Sequence, residues 1–173
     1  MSFTLETDRL YIPPFKSEDA VELHRIFGDP EVMKRIPGGP SKSVEDTGRR
    51  LERIMDHQRE HGFSLWALIR KEDGKLAGDC GLILVEGLGP DVELSYDIAR
   101  EFWGMGYATE AARECLRYGL EDLGLERIIG LTYEDHFASR RIMEKIGMSF
   151  EGIVRRYDRD LVQYSAMGIG YPP

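Results

Sequence analysis

The sequence predicts an α/β fold: a mixed, mostly antiparallel central sheet of about seven strands with helices on both faces. Three observations carry that expectation. The first half holds strand-length apolar runs joined by turn residues, the pattern of antiparallel hairpins. From residue 92 onward, strand patterns alternate with helical ones, which asks for a crossover connection. No repeat, low-complexity tract or linker interrupts the 173 residues, so residues 1–173 are expected to form one domain around one core.

The elements follow in order. Leu10 to Phe15 reads as a short strand ended by Pro13 and Pro14, and prolines, which cannot donate to a ladder, assign it to a sheet edge. Ser17 opens a helix to Phe27 with Ala20, Leu23 and Phe27 on one face, and Ser43 with Asp46 forms a capping box for a very polar helix to His61. Between them, residues 29–43 carry turn residues and read as a mobile loop, a place for substrate contacts. The runs FSLWALIRK and LAGDCGLILV flank the Asp73-Gly74 turn as a hairpin. VELSYDIA is the next strand. A glycine-bearing turn then leads into a long helix through Gly124, with Ala112, Cys115, Leu116, Gly119, Leu120 and Leu123 on one face. RIIGLTY reads as a strand, Ser139 to Ile146 as a short helix closed by Gly147, and IVRRYD and VQYSAMGI as the last two strands.

Composition narrows the function. Lys and Arg total 23 against 31 Asp and Glu, for a net charge of −8, which disfavours nucleic acid as a partner and suits a cationic, amine-bearing one. Nothing near 18 consecutive apolar residues occurs and the first residues lack a signal-peptide pattern, so no membrane partner and a cytoplasmic location are expected. Monomer and homodimer both remain open. Cys80 and Cys115 lie in apolar surroundings and read as buried reduced thiols. His57 and His61, four apart, lack the Glu of a metalloprotease helix. They read, with Arg49, Arg50, Arg53 and Arg59, as a solvated helix face, and no metal is expected.

The informative segment runs from Val92 to Ala112, where a strand enters a turn holding Gly104 and Gly106 and a helix starts at once. A helix N-terminus leaves backbone N–H groups unpaired and partially positive, and glycines let backbone approach a pyrophosphate, so this turn is a phosphate-binding candidate that needs no lysine. A dinucleotide fingerprint would need a third glycine at Thr109 and a Walker loop would need Gly-Lys-Ser/Thr; neither is present.

Four stretches together, ETDRLYIPPF, DPEVMKRIPGG, EFWGMGYATEAA and HFASRRIMEKIGMSFEG, resemble in content and order the GCN5-related N-acetyltransferase (GNAT) superfamily, in particular the ribosomal-protein N-terminal (RimJ/RimL-like) branch. The resemblance spans nearly the whole chain. It implies acetyl-CoA as co-substrate and direct transfer of the acetyl group to a primary amine. The leading acceptor is a protein N-terminal amine; a small-molecule amine and a non-catalytic acyl-CoA-binding sensor are the alternatives. It further implies that Ile98 holds the thioester and pantetheine arm through its backbone. Trp103, Gly104, Met105, Gly106, Tyr107 and Ala108 would wrap the pyrophosphate, and His136 and Ser139 would lie beside the pantetheine and the reacting sulfur. Two positions depart from the family pattern. Glu101 stands where Arg or Gln is usual and is expected to face away, leaving Arg100 as the nearest cation. His136 stands where Asn is usual. Amine acetylation needs a group to take the ammonium proton and one to assist the departing thiolate. Glu93 is the favoured base, Asp158 its competitor, and Ser139 the thiolate partner.

Overall fold

The computed structural model describes residues 3–169. Eight strands form one sheet in the order β1-β2-β3-β4-β5-β6-β8-β7. They are β1 (Leu5–Glu6), β2 (Leu10–Ile12), β3 (Leu65–Arg70), β4 (Leu76–Leu84), β5 (Val92–Ile98), β6 (Arg127–Thr132), β7 (Ser149–Arg156) and β8 (Arg159–Met167). Every neighbouring pair is antiparallel except β5 and β6, which run parallel. The helices are α1 (Ala20–Phe27), α2 (Pro30–Met33), α3 (Val44–His61), α4 (Tyr107–Arg117) and α5 (Phe137–Lys145).

Several local expectations meet the structure directly. Gly74 takes φ +72 in the hairpin turn and Gly147 takes φ +93 after α5, both conformations that favour glycine. Ser43 Oγ accepts the Asp46 N–H at 3.2 Å to start α3. The reciprocal bond goes to Lys42 rather than Ser43: its N–H donates to the Asp46 carboxylate at 3.0 Å. The long helix ends earlier than expected as α, at Arg117, and continues as one wide turn over residues 118–122. Gly119 lies buried inside that turn, where a Cβ would come within 2.5 Å of the Ile128 Cδ1 and 2.7 Å of a Leu82 Cδ, so a larger residue would have to push those side-chain ends aside.

Other expectations need correction. The strand from Leu10 stops at Ile12 and is not an edge: β1 covers it on one side and β3 on the other. The two-residue β1 is the eighth strand, too short to carry a periodic signal. The segment expected to be a mobile loop holds α2, capped by Asp29 Oδ1 accepting the Glu31 N–H at 2.9 Å, with Met33 fully buried. His57 is no solvated residue. One ring nitrogen donates to the Phe63 carbonyl at 2.8 Å and the other accepts the Leu84 N–H at 3.1 Å, which pins α3 to β4. Arg50 is likewise half-buried, its guanidinium 4.9 Å from the Phe27 ring and 2.8 Å from the Gly39 carbonyl. The α5 helix begins at Phe137, two residues before Ser139, so His136 occupies the cap position and Ser139 lies within the first turn.

Cys80 and Cys115 are buried free thiols. Among the described residues, no helix is long and apolar enough to cross a membrane.

Candidate active site

The site begins with an interruption of the sheet. β5 and β6 meet at one pair, Glu93 opposite Ile129. Beyond it β5 stays with β4 as far as Ile98, and β6 stays with β8 as far as Thr132. The two strands therefore part toward their C-terminal ends, and each leaves an unpaired edge facing the other. The Ala99 N–H bonds the Ala77 carbonyl at 2.8 Å. By the two-residue alternation of an antiparallel ladder, Asp97 shares that edge, and Tyr96 and Ile98 turn their backbone groups toward the opening. An open strand edge of this kind offers amide donors and acceptors to a pantetheine arm.

The glycine turn follows β5 at once. Gly104 and Gly106 adopt φ +76 and +82, and Gly106 starts α4 without any side-chain cap. The first bond of this turn into the helix joins the Glu110 N–H to the Gly106 carbonyl at 3.1 Å. The N–H groups of Tyr107, Ala108 and Thr109 thus have no partner among the described residues, as an anion site at a helix start requires. The Glu110 side chain does not fill it, because Thr7 Oγ1, the Arg9 N–H and the Arg9 guanidinium all donate to that carboxylate. Met105 and Trp103 are half exposed, and Tyr107 points inward, where its hydroxyl accepts from Arg70 at 3.1 Å. The Trp103 indole folds back and donates to the Ile98 carbonyl at 2.8 Å. On that edge of Ile98, the N–H is what remains for a ligand.

The cations around this turn differ from the sequence reading. Arg100 is held by Asp29, at 3.1 Å from its Nε, and Glu101 is paired with Arg25 at 2.7 Å. Arg9, which sequence reasoning passed over although it lies in the opening motif, donates to the Met105 carbonyl at 2.9 Å and stacks 4.5 Å over the Tyr107 ring. A Cβ on Gly106 would lie 3.4 Å from its guanidinium. Arg9 therefore braces the turn from beneath and brings a positive charge to it.

On one face of the sheet, across from the opening, Glu93, Asp97 and Asp79 line up, with Asp79 directly opposite Asp97 and Glu93 four residues earlier on β5. All three are buried. Burial, opposed in part by the Tyr157 hydroxyl, pushes the Glu93 carboxyl up to about 7. Tyr157 donates to Glu93 Oε2 at 2.8 Å, and Oε1 has no protein partner among the described residues. Burial raises Asp79 and Asp97 as well, and neither Asp79 oxygen has a hydrogen-bond partner among the described residues. Asp158 sits apart from this cluster in character: it is exposed at the tip of the β7–β8 turn.

On the opposite face, Ser139 is buried and its Oγ lies 2.9 Å from the Tyr96 hydroxyl, which is also 3.2 Å from the Ser139 carbonyl. Burial raises the Tyr96 phenol, so it stays protonated at neutral pH. This second proton-bearing group was missed in the sequence, where Tyr96 is one more strand residue. His136 lies half-buried 3.0 Å from Thr132 Oγ1, and burial lowers its pKa, which favours the neutral ring. Among the described residues, no group of three His, Cys, Asp or Glu side chains could hold a metal ion.

Comparison with known proteins bears on this arrangement. Residues 9–149 match the family described as Acetyltransferase (GNAT) domain. The chain is 30% identical over 156 residues to the uncharacterized N-acetyltransferase p20 of Bacillus licheniformis, covering 90% of this chain and 88% of that protein. It is 31% identical over 164 residues to the FsC-acetyl coenzyme A-N(2)-transacetylase of Aspergillus fumigatus, covering 90% and 69%. Among solved structures, a GNAT-family acetyltransferase from Bacillus anthracis superposes with a TM-score of 0.82 at 26% identity, over 95% of this chain and 98% of that one.

Proposed function

The chain belongs to the GNAT acetyltransferase family and is an acetyl-CoA-dependent N-acetyltransferase, and we propose that its acceptor is the α-amine of a polypeptide N-terminus, with Glu93 as general base. The observation that carries this reading is the buried Glu93 carboxyl, at about 7, beside the point where β5 and β6 part. An α-ammonium has a pKa of about 8 and an aliphatic ammonium about 10.4. Transfer to a base near 7 is uphill by about 1 unit for the first and more than 3 for the second, at about 1.4 kcal/mol per unit. A base poised this way is matched to α-amines at neutral pH.

Bound acetyl-CoA supplies the acetyl thioester. The free N–H groups of α4 and the positive φ of Gly104 and Gly106 fit a pyrophosphate, and the β5 edge at Tyr96 and Ile98 fits the pantetheine arm. Glu93 Oε1 takes the ammonium proton, leaving a neutral amine to attack. Backbone N–H groups on the open β5 edge donate to the carbonyl oxygen as it gains charge. Ser139, linked to Tyr96, donates to the departing sulfur. Asp158, exposed at its turn, is assigned no role.

Acetyl-dependent thiol release across a panel of peptides with free N-termini, N-blocked peptides containing lysine, and aliphatic diamines tests the acceptor. Free N-termini are expected to be acetylated and blocked ones not. Activity confined to lysine or diamines would overturn the α-amine reading, and acetyl-CoA binding with no acceptor at all would restore the sensor reading. Glu93→Gln should lower kcat by about 10²–10⁴ with CoA affinity retained. Asp158→Asn should leave kcat near wild type. Because Glu93 acts deprotonated, kcat/KM of the wild type should fall as pH drops below about 7.

A further inference from the structure

The tip of the β7–β8 hairpin is built against its own backbone preference. Arg156 pairs with Arg159, leaving a two-residue loop, Tyr157 and Asp158, with φ +51 and +57. A tight hairpin of this shape calls for Asn-Gly or Asp-Gly, because both central residues need positive φ. A bulky aromatic in the left-handed region is strained, because its Cβ crowds the neighbouring carbonyl. Such a conflict between local sequence and local shape persists where the surroundings over-determine it, and it clusters at functional sites.

What holds Tyr157 there is a set of three hydrogen bonds. Its N–H donates to Glu86 Oε1 at 2.7 Å, its hydroxyl oxygen accepts the Glu86 N–H at 3.1 Å, and its hydroxyl proton goes to Glu93 Oε2 at 2.8 Å. Glu86, in the β4–β5 connection, is itself at φ +55. An ion pair beside the clasp ties the same two segments, Arg156 to Asp91 at 2.6 Å, and Arg127 at the start of β6 reaches the same carboxylate at 3.4 Å. The direction of this chain is forced. A backbone N–H can only donate, so the Tyr157 oxygen must accept it and must point its one proton elsewhere, and Glu93 is what it reaches.

We propose that Tyr157 is a positioning residue for the base, holding Glu93 Oε2 as an acceptor so that Oε1 is left turned to the incoming amine. The proposal rests on the reading of Glu93 as base. A donated hydrogen bond favours the charged form of a carboxylate, and donation from a hydroxyl already polarised by an amide N–H favours it more. The clasp thus offsets part of the burial cost and keeps the base within reach of neutral pH. The other titratable groups near Glu93 are Asp97 on its own strand and face, which disfavours its charge, and Tyr96 on the opposite face of the sheet; Glu86 acts on it through Tyr157.

The test is the pH profile of kcat/KM for the full chain carrying Tyr157→Phe. Loss of the hydroxyl should move the acidic limb up by about one unit, so that activity falls about fivefold at pH 7 and about tenfold well below it, and returns toward wild type at pH 9, with CoA affinity unchanged. Tyr157→Asn, which suits the turn, should melt at or above the wild-type temperature yet show the same displaced limb; a residue retained for the hairpin alone would show no displacement. Glu86→Ala removes one clasp bond from an exposed position and should move the limb in the same direction by less, which decides the matter if Tyr157→Phe folds poorly. Superimposable profiles for these variants, with Glu93→Gln inactive, would overturn the positioning role and leave the base intact. A fully active Glu93→Gln would instead remove the base reading beneath it.

Discussion

The proposed cofactor side of the opening is one continuous stretch that runs through the turn of Gly104 and Gly106 to the unpaired backbone N–H groups of Tyr107, Ala108 and Thr109. The proposed acceptor side collects Asp79 from β4, Glu93 and Asp97 from β5 and Tyr157 from a hairpin turn, and the three carboxylates are buried. The first region binds through groups that every residue carries, so its requirement falls on conformation. The second works through side-chain protons, so its requirement falls on burial and on which donor reaches which oxygen. Altering conformation should therefore injure the first and spare the second, and altering charge should do the reverse.

The largest effect on cofactor binding should come from Gly106→Val. A β-branched residue at φ +82 is strained by about 1–3 kcal/mol, and relaxation of that strain moves the free N–H groups of α4. Calorimetry should show CoA affinity down by about a hundredfold in a folded protein. Unchanged affinity would mean that the turn is not the pyrophosphate site.

A smaller effect, on stability rather than binding, is expected from Asp79→Asn. The folded pKa of Asp79 is raised, so the native state keeps its proton longer than the unfolded chain does. Stability is then fullest below the ordinary carboxylate range and declines as pH rises toward the elevated folded value. The neutral Asn removes that slope, so the variant should gain stability relative to wild type between pH 5 and pH 8. Denaturant titrations at pH 5 and pH 8 that gave the same difference between variant and wild type would show that Asp79 carries no such burden.

The smallest effect belongs to Arg9→Gln. Its guanidinium is partly exposed and already paired with Glu110, so removing the charge should weaken CoA binding by roughly threefold and reduce its salt dependence. A loss as large as that for Gly106→Val would show that the turn depends on this cation more than on its backbone.

The two regions also differ in how visible they were before the fold was known. Gly104, Gly106 and the helix behind them are a contiguous pattern with a local cause, and the turn has the expected form. The Ser43 cap and the Asp73-Gly74 turn were legible for the same reason. Arg9 carried a signal, since it lies in the motif that opens the chain, but nothing local says that β2 will lie beneath residue 105. His57 and Arg50 read as wet because charge and spacing on a helix do not say whether a strand or a loop will cover it.

Tyr157 offered no local signal at all: hairpin chemistry argues for Asn-Gly at that place, so the residue makes sense only with Glu93 beside it. Sequence by itself determined most of the longer elements, the mixed sheet and the glycine turn at the start of α4, because these follow from periodicity and φ preferences that act within a few residues. The tertiary structure decided which carboxylate is buried, which oxygen has a donor and which cation reaches the turn. Those depend on register between strands and on distance through space, and residues 64 to 103 positions apart have no sequence pattern that joins them.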